Sequence, residues 1–208
     1  MRFVDFNIES DLQISKYENK KITLTPTSAG KKSIKFQVPR MYMPFGVSGF
    51  TPQIGPTKYN IDFSMKGYDE DENYVKAFYE FVKKLENEVI ASVESQSVEI
   101  FGKQMDQEEL KKMFNSNIKE SVDGREPKFR VKVDTNTVDN TIKFPIYDSN
   151  ETEVSCEASN GLYARHSGTA IVELGNVYFM NKMFGITWRT SQLKVFEPQR
   201  LKGFQFID

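Results

Sequence analysis

The chain has 208 residues, of which 27% are charged and 13% aromatic, and its formal net charge at pH 7 is −1. This composition predicts a soluble globular protein, and the absence of any run of about 18 apolar residues excludes a membrane-spanning helix. The charge also argues against a uniformly basic nucleic-acid-binding protein. Residues 69–109 nevertheless carry 12 acidic and 4 basic side chains, which leaves 24 basic and 17 acidic ones elsewhere. A local basic surface is therefore compatible with the nearly neutral total.

The first part of the chain predicts short strands around a loop. A strand is expected at residues 22–24, unless they form an arm, and another at 34–38, where apolar and polar side chains alternate. Pro39 predicts a bend or a sheet edge. Residues 44–57 hold three Pro and three Gly, which is typical of a loop. Residues 59–65 alternate again and predict a strand whose odd-numbered side chains face inward.

Two helices are expected next. Apolar residues recur at spacings of three and four through residues 70–94, the pattern of an amphipathic helix. Four acids at 69–72 would lie at its N-terminus, where the helix dipole favours negative charge. A second, shorter helix is expected at 106–114.

The last part of the chain contains the clearest strands. Residues 128–134 alternate, with Phe129, Val131 and Val133 predicted in the core and Lys128, Arg130 and Lys132 on the opposite face. A strand is expected at 142–147. A long hairpin is expected at 168–180 and 183–197, with a tight connection at Asn181 and Lys182 and a β-bulge near Thr190.

These elements predict a mainly β (α+β) protein, an OB-like Greek-key barrel with a helical insertion around residues 70–115, in a single domain over residues 1–208. The helices fall between the second and third clear strands, whereas an ordinary OB fold places its helix between the third and fourth. The strand count is therefore open by one, and a simple β-sandwich is an alternative.

Catalytic chemistry has little support in the residues. Cys156 is the only cysteine and His166 the only histidine, so no disulfide forms within the chain and a reducing intracellular setting is expected. A zinc site of Cys and His needs about four ligands and cannot be built. No phosphate-binding glycine loop is present. We therefore expect that the protein is not an enzyme and binds no cofactor or metal. The alternative is a nuclease whose carboxylates hold a catalytic metal ion.

Aromatic and basic residues are repeatedly neighbours, which favours binding of single-stranded nucleic acid. Rings stack on unpaired bases, each worth roughly 1–3 kcal/mol, while cations contact phosphates. For Trp188 a core position is the alternative, because Phe184, Ile186 and Trp188 share one strand face; Arg189 would then be the better ligand. The candidate nucleic-acid-binding residues are Lys35, Arg40, Tyr42, Phe45, Phe50, Lys128, Arg130, Lys132, Tyr163, Arg165, Tyr178, Lys182, Trp188 and Arg189.

Three segments resemble a known family. FMNKMFGITWRTSQLKVFEPQRLKGFQF, at 179–206, resembles the C-terminal region of the single-stranded DNA-binding proteins of nucleocytoplasmic large DNA viruses. PRMYMPFGVSGF and YNIDFSM, at 39–50 and 59–65, resemble that family's N-terminal strand pair. The resemblance implies an OB-fold core and binding of single-stranded DNA with little sequence preference. It also implies a role in viral DNA replication, recombination or repair, in the cytoplasm or nucleus of the host cell.

The expected partner is therefore single-stranded DNA, and RNA, viral replication proteins and a second copy of the chain stay open. Related phage proteins end in a strongly acidic tail that recruits partners. This chain ends in GFQFID with a single acid, so recruitment through such a tail is not expected. The alternative function is a protein–protein or virion structural module that uses the same aromatic surface without binding nucleic acid.

Overall fold

The computed structural model describes residues 1–28, 30, 33–121, 123–154 and 156–198. After a 3-10 turn at Phe3–Asp5, the helices are α1 (Ile8–Asp11), α2 (Tyr74–Ser95), α3 (Ser97–Phe101) and α4 (Gln107–Met113). The strands are β1 (Leu12–Ile14), β2 (Lys21–Ile22), β3 (Leu24–Pro26), β4 (Ile34–Gln37), β5 (Met41–Met43), β6 (Val47–Phe50), β7 (Lys58–Ser64), β8 (Ile118–Lys119), β9 (Lys128–Val133), β10 (Ile146–Tyr147), β11 (Glu153–Val154), β12 (His166–Met180) and β13 (Met183–Phe196).

Five strands close into a barrel. β5 pairs with β7, β7 with β9, β9 with β13, β13 with β12, and β12 returns to β5. If these five strands are numbered 1 to 5 along the chain, their order around the barrel is 1-2-3-5-4. Strands 3 and 5, which are β9 and β13, are parallel. This confirms the OB-like barrel, and the β9–β13 pairing that closes it excludes the sandwich alternative. The helical insertion lies between β7 and β9, the second and third barrel strands, as the sequence indicated.

Aromatic side chains fill the barrel, and α2 covers its interior. Phe36 and Phe129 point inward with Trp188, their ring centroids 6.0 and 5.4 Å from that of Trp188. From α2, Phe78 packs 5.0 Å from Phe129 and Phe81 packs 5.1 Å from Phe36. The strand alternation that predicted Phe129 as a core residue is confirmed, and Phe36, on the alternating segment 34–38, is fully buried as well.

The predicted helix begins later than the sequence suggested. The side chain of Asn73 accepts a hydrogen bond from the backbone N–H of Val75 (2.8 Å), so it caps α2 and leaves the acids at 69–72 in the preceding turn. The second helix begins after Asp106, whose carboxylate forms a capping box with Glu109. The short helix α3 was not predicted. Among the described residues, no helix is long and apolar enough to cross a membrane.

The final hairpin confirms two local predictions. Asn181 and Lys182 both have positive φ, 53° and 63°, which is the type I′ geometry of a two-residue connection. Ile171 pairs with Gln192 whereas Val172 pairs with Thr190, so Ser191 is the extra residue of a bulge next to Thr190. The expected strand at 142–147 is shorter, because Ile142 instead pairs with Thr135 at a turn after β9.

Candidate nucleic-acid interface

The outward side chains of β7 and β9 form one continuous surface. In register, Ser64 lies opposite Lys128, Asp62 opposite Arg130, and Asn60 opposite Lys132. Because side chains alternate along a strand, their apolar neighbours fill the barrel while these six lie on the opposite face. Asp62 and Ser64 are buried there, and the other four side chains are at least partly exposed. We call these six residues the strand face.

The three predicted cations of the strand face are held differently. Arg130 donates two hydrogen bonds to Asp62, from Nε to Oδ1 at 2.7 Å and from Nη2 to Oδ2 at 2.8 Å, and this contact raises the pKa of Arg130. Lys132 forms an ion pair with Asp134 at 2.7 Å. Lys128 makes no ion pair with any residue that the structure describes. Arg130 is thus fixed in place, whereas Lys128 is free to bind an anion.

Three exposed aromatic rings flank the strand face. Tyr42 is 45%, Phe45 52% and Phe50 65% exposed. Tyr42 lies in register with Ser64, and Phe50, at the end of β6, lies opposite Lys58. The ring centroid of Phe45 is 5.7 Å from Nζ of Lys128, within the range of a cation–π contact. We call Tyr42, Phe45 and Phe50 the flanking rings.

The loop that precedes β12 brings two further candidates to this surface. The backbone N–H of Val47 donates to the carbonyl of Leu162 (2.8 Å), and that of Arg165 donates to the carbonyl of Met43 (2.9 Å). Gly46 permits this close approach, since a Cβ there would collide with the Leu162 carbonyl. Arg165 is exposed and makes no ion pair within the described part of the chain. The loop therefore holds a second cation without an ion pair against the end of β5, two residues before Phe45.

Tyr163 is a weaker candidate than Arg165. Its hydroxyl donates to Sγ of Cys156 (3.7 Å), and its ring packs edge-on against His166 at 5.7 Å. Burial raises the pKa of Tyr163, and the side chain is only partly exposed. Its ring is therefore committed mainly to the protein.

Arg40 lies on the other side of Tyr42, in a contact that the sequence did not reveal. Its guanidinium lies 3.9 Å from the ring centroid of Phe196, and its Nε donates to Oγ of Ser167 (2.8 Å). Ser167 is the register partner of both Tyr42 and Phe196. Phe196 was missed because Arg40 lies more than 100 residues away from it in sequence, and only the barrel brings the two together.

Trp188 is a correction to the candidate site. Only 1% of it is exposed, so it cannot stack on a base in this conformation, and the alternative of a core position is right. The physical reason is strand parity, because Phe184 and Ile186 point inward with it. Arg189, next along the strand, is exposed and lies 3.6 Å from Asp134.

The remaining candidates lie away from the flanking rings. Tyr178 accepts a hydrogen bond from Asn115 (2.7 Å) and packs on Gly185, so its hydroxyl is already used. Lys182 is exposed at the hairpin turn. Lys35 pairs with Glu173 at 3.3 Å, across β4 and β12. In the described residues, no group of three or more His, Cys, Asp or Glu is arranged to hold a metal ion.

Comparisons with known proteins give one family match and several similar solved structures. The family described as "Family of unknown function (DUF5871)" matches residues 70–208. A search of curated proteins finds no match. Among solved structures, gp2.5, a single-stranded DNA-binding protein encoded by bacteriophage T7, is 13% identical and has a TM-score of 0.47, over 83% of this chain and 91% of that chain. The single-stranded DNA-binding protein from bacteriophage Enc34, in complex with ssDNA, is 10% identical with a TM-score of 0.47, over 92% and 98% of the two chains.

Proposed function

We propose a function for this chain, which belongs to DUF5871, a family of unknown function: it binds single-stranded DNA with little sequence preference. One observation carries the proposal. The flanking rings Tyr42, Phe45 and Phe50 are about half exposed or more, and they border the strand face of a closed barrel. Large apolar side chains gathered at one exposed place mark a binding surface, and this face is the part of an OB barrel that takes oligonucleotides.

The chemistry of the surface suits unpaired bases. A ring stacks on a base only when the base is not held inside a duplex, and every base offers a π-face, so stacking gives affinity with little sequence selection. Phosphates would be contacted by cations without an ion pair in the described structure, chiefly Lys58, Lys128 and Arg165. Lys58 lies opposite Phe50 and Lys128 lies beside the Phe45 ring, as a DNA strand with alternating bases and phosphates requires.

The charge distribution restricts where DNA can bind. The strand face and its margins carry Lys58, Lys119 and three cations on β9, against Asp62, Glu126 and Asp134. The excess of positive charge there is modest, while the helical segment around α2 is strongly acidic. Repulsion from that segment disfavours other orientations, and screening confines both effects to about 10 Å.

The finer role follows the sequence resemblance. We propose that the protein acts without catalytic activity in viral DNA replication, recombination or repair, at the viral replication site in the host cell. This part rests on the segment at 179–206, whose last residues, 199–206, lie outside the described residues. Viral replication proteins, RNA and a second copy of the chain are further partners to be tested.

A docking surface for another protein is the second candidate. Ile54 is almost fully exposed in the loop between β6 and β7, close in sequence to Phe50, which makes the tip of this hairpin more apolar than stacking alone requires. A surface of that kind binds no oligonucleotide at any salt concentration, whereas phosphate contacts give an affinity that falls steeply with salt.

Fluorescence anisotropy with labelled dT, rU and duplex oligonucleotides tests the proposal. The wild-type protein should bind dT more tightly than duplex of the same length. Replacing Phe45 and Phe50 by Ala should weaken dT binding by roughly 1–3 kcal/mol for each ring. Tyr74→Ala, which removes an exposed ring at the start of α2, is the matched control and should bind like wild type. Equal or tighter binding to duplex, or full affinity in the double variant, would refute the proposal.

A further inference from the structure

A cleft of about 450 Å³ lies beside β13, outside the strand face. Lys35, Lys143, Arg189 and Asp134 line it. Lys143 is exposed and makes no ion pair in the portion of the chain that the structure describes. We propose that this cleft, the Arg189 pocket, binds a backbone phosphate of the same DNA strand, so that the bound strand extends beyond the strand face; the inference rests on the proposed function.

Two local features build the Arg189 pocket. The backbone N–H of Lys143 donates to the carbonyl of Asp134 (2.9 Å), which returns the chain to the end of β9 and sets Lys143 beside Asp134. The bulge at Ser191 interrupts the alternation of β13 directly after Arg189 and Thr190. Bulges of this kind redirect side chains at the rims of barrels. The cations are thus placed by backbone geometry and not only by their own flexible stems.

The ion pairs in the pocket leave donors for an anion. Nη1 of Arg189 is 3.6 Å from Oδ2 of Asp134, which is longer than a hydrogen bond, and Asp134 is already paired with Lys132 at 2.7 Å. Lys35 is balanced by Glu173 at 3.3 Å. Among the described residues, Arg189 and Lys143 are therefore the two cations of the pocket that no carboxylate holds at hydrogen-bond distance or balances separately.

The register connects the pocket to the strand face. Lys132 pairs with Asn60 on one side and with Arg189 on the other. Since neighbouring strands are about 4.8 Å apart, Arg189 lies about 10 Å from Asn60 across the sheet. A DNA strand that crosses β7 and β9 has to extend over only one more β-strand, β13, to bring a phosphate to Arg189.

The lining favours a phosphate over a base. Phe144, the aromatic residue in the cleft, is 9% exposed, so it offers no free ring for stacking. The planar guanidinium of Arg189 presents donors in a fork that matches two phosphate oxygens. The pocket therefore supplies a charged contact without a stacking platform.

Salt titrations with two oligomer lengths test the proposal on the full chain. The two dT oligomers are about 5 and about 15 nucleotides long, and the longer one covers the strand face and the pocket together. The salt slope is the steepness with which log affinity falls as log salt concentration rises. In the variant Lys143→Gln/Arg189→Gln, this slope should be smaller by about 1.4 for the long oligomer, at about 0.7 for each lost phosphate contact. The ratio of long-oligomer affinities at 50 and 200 mM salt then falls about sevenfold. The wild-type slope should also be steeper for the long oligomer than for the short one.

Lys111→Gln/Lys112→Gln on α4 removes the same charge from the helical segment and is the matched control. If wild-type protein binds neither oligomer, the proposed function fails and the pocket fails with it. If wild type binds both but the pocket variant keeps the wild-type slope for the long oligomer, only the pocket assignment is overturned. Inorganic phosphate could instead shift the NMR signals of the Arg189 side-chain N–H groups while the pocket variant keeps the wild-type slope for the long oligomer. That result would assign the pocket to free phosphate and would also overturn the proposal.

Discussion

Breaking the contact between Asp62 and Arg130 should destabilise the barrel, and the structure sets the magnitude. Losing one partner of a fully buried ion pair costs about 3–5 kcal/mol, whereas exposed pairs contribute about 0–1 kcal/mol. This pair lies between those limits, because the Asp62 side chain is 9% exposed and the Arg130 side chain 44% exposed. We therefore expect Arg130→Ala to lower the free energy of unfolding by about 2 kcal/mol, which is a fall in Tm of about 4–8 °C for a chain of this size.

Urea denaturation of a double-mutant cycle checks this value. Asp62→Ala, Arg130→Ala and the double variant should give a coupling energy of about 1–2 kcal/mol, with buried Trp188 fluorescence as the probe of unfolding. Arg165→Ala removes an exposed Arg with no ion pair in the described structure, and it should change stability by less than about 0.5 kcal/mol. The reasoning would be refuted if Arg130→Ala lowered the free energy of unfolding by no more than Arg165→Ala does, and if the cycle gave no coupling energy between Asp62 and Arg130.

Three further outcomes are expected. Lys128→Ala should reduce the salt slope of dT binding by about 0.7, and an unchanged slope would show that Lys128 contacts no phosphate. Trp188→Ala should lower stability by roughly 3–5 kcal/mol, measured by urea denaturation followed by circular dichroism, while the folded fraction keeps its DNA affinity; a loss of affinity alone would contradict the core assignment. Burial raises the pKa of Glu86, which accepts hydrogen bonds from Ser116 and Asn117, above its value in the unfolded chain. The free energy of unfolding should therefore decrease as pH rises from the ordinary glutamate pKa through the raised one, and Glu86→Gln should flatten that decrease.

The barrel was accessible from sequence because its strands alternate cleanly. On β9, apolar residues (Phe129, Val131 and Val133) alternate with basic ones. This period of two assigns each side chain to one of the two faces of the strand before any strand pairing is known. The turn at Asn181 and Lys182 and the bulge beside Thr190 were also readable, since each leaves a local mark in the sequence pattern.

The partners of the cations were not accessible in this way. Arg130 finds Asp62 through a strand pairing that spans 68 residues of sequence, and Arg40 finds Ser167 across 127. Alternation shows that a cation points outward but not which carboxylate shares that face. The sequence therefore treated Lys128, Arg130 and Lys132 as equivalent, whereas the structure gives two of them an acidic partner.

Trp188 shows that strand parity, and not sequence proximity to a cation, sorts the aromatic residues. Its basic neighbour Arg189 made it a stacking candidate, yet adjacent residues on a strand point to opposite faces, so proximity in sequence places the pair on different surfaces. The exposed rings Tyr42, Phe45 and Phe50 lie instead on β5, on β6 and in the segment between them. Their exposure depends on the bend between these strands, which the Pro and Gly content of the loop suggested but did not specify.

Mapping the contact sites of bound DNA tests the central claim most directly. Single-stranded oligo-dT carrying photoreactive thymine analogues would be crosslinked to the wild-type protein, and the modified peptides identified by mass spectrometry. The account predicts crosslinks at Tyr42, Phe45 and Phe50 that disappear when unlabelled dT competes. Crosslinks confined to α2 or to the hairpin turn at Asn181, with none at the three flanking rings, would contradict it.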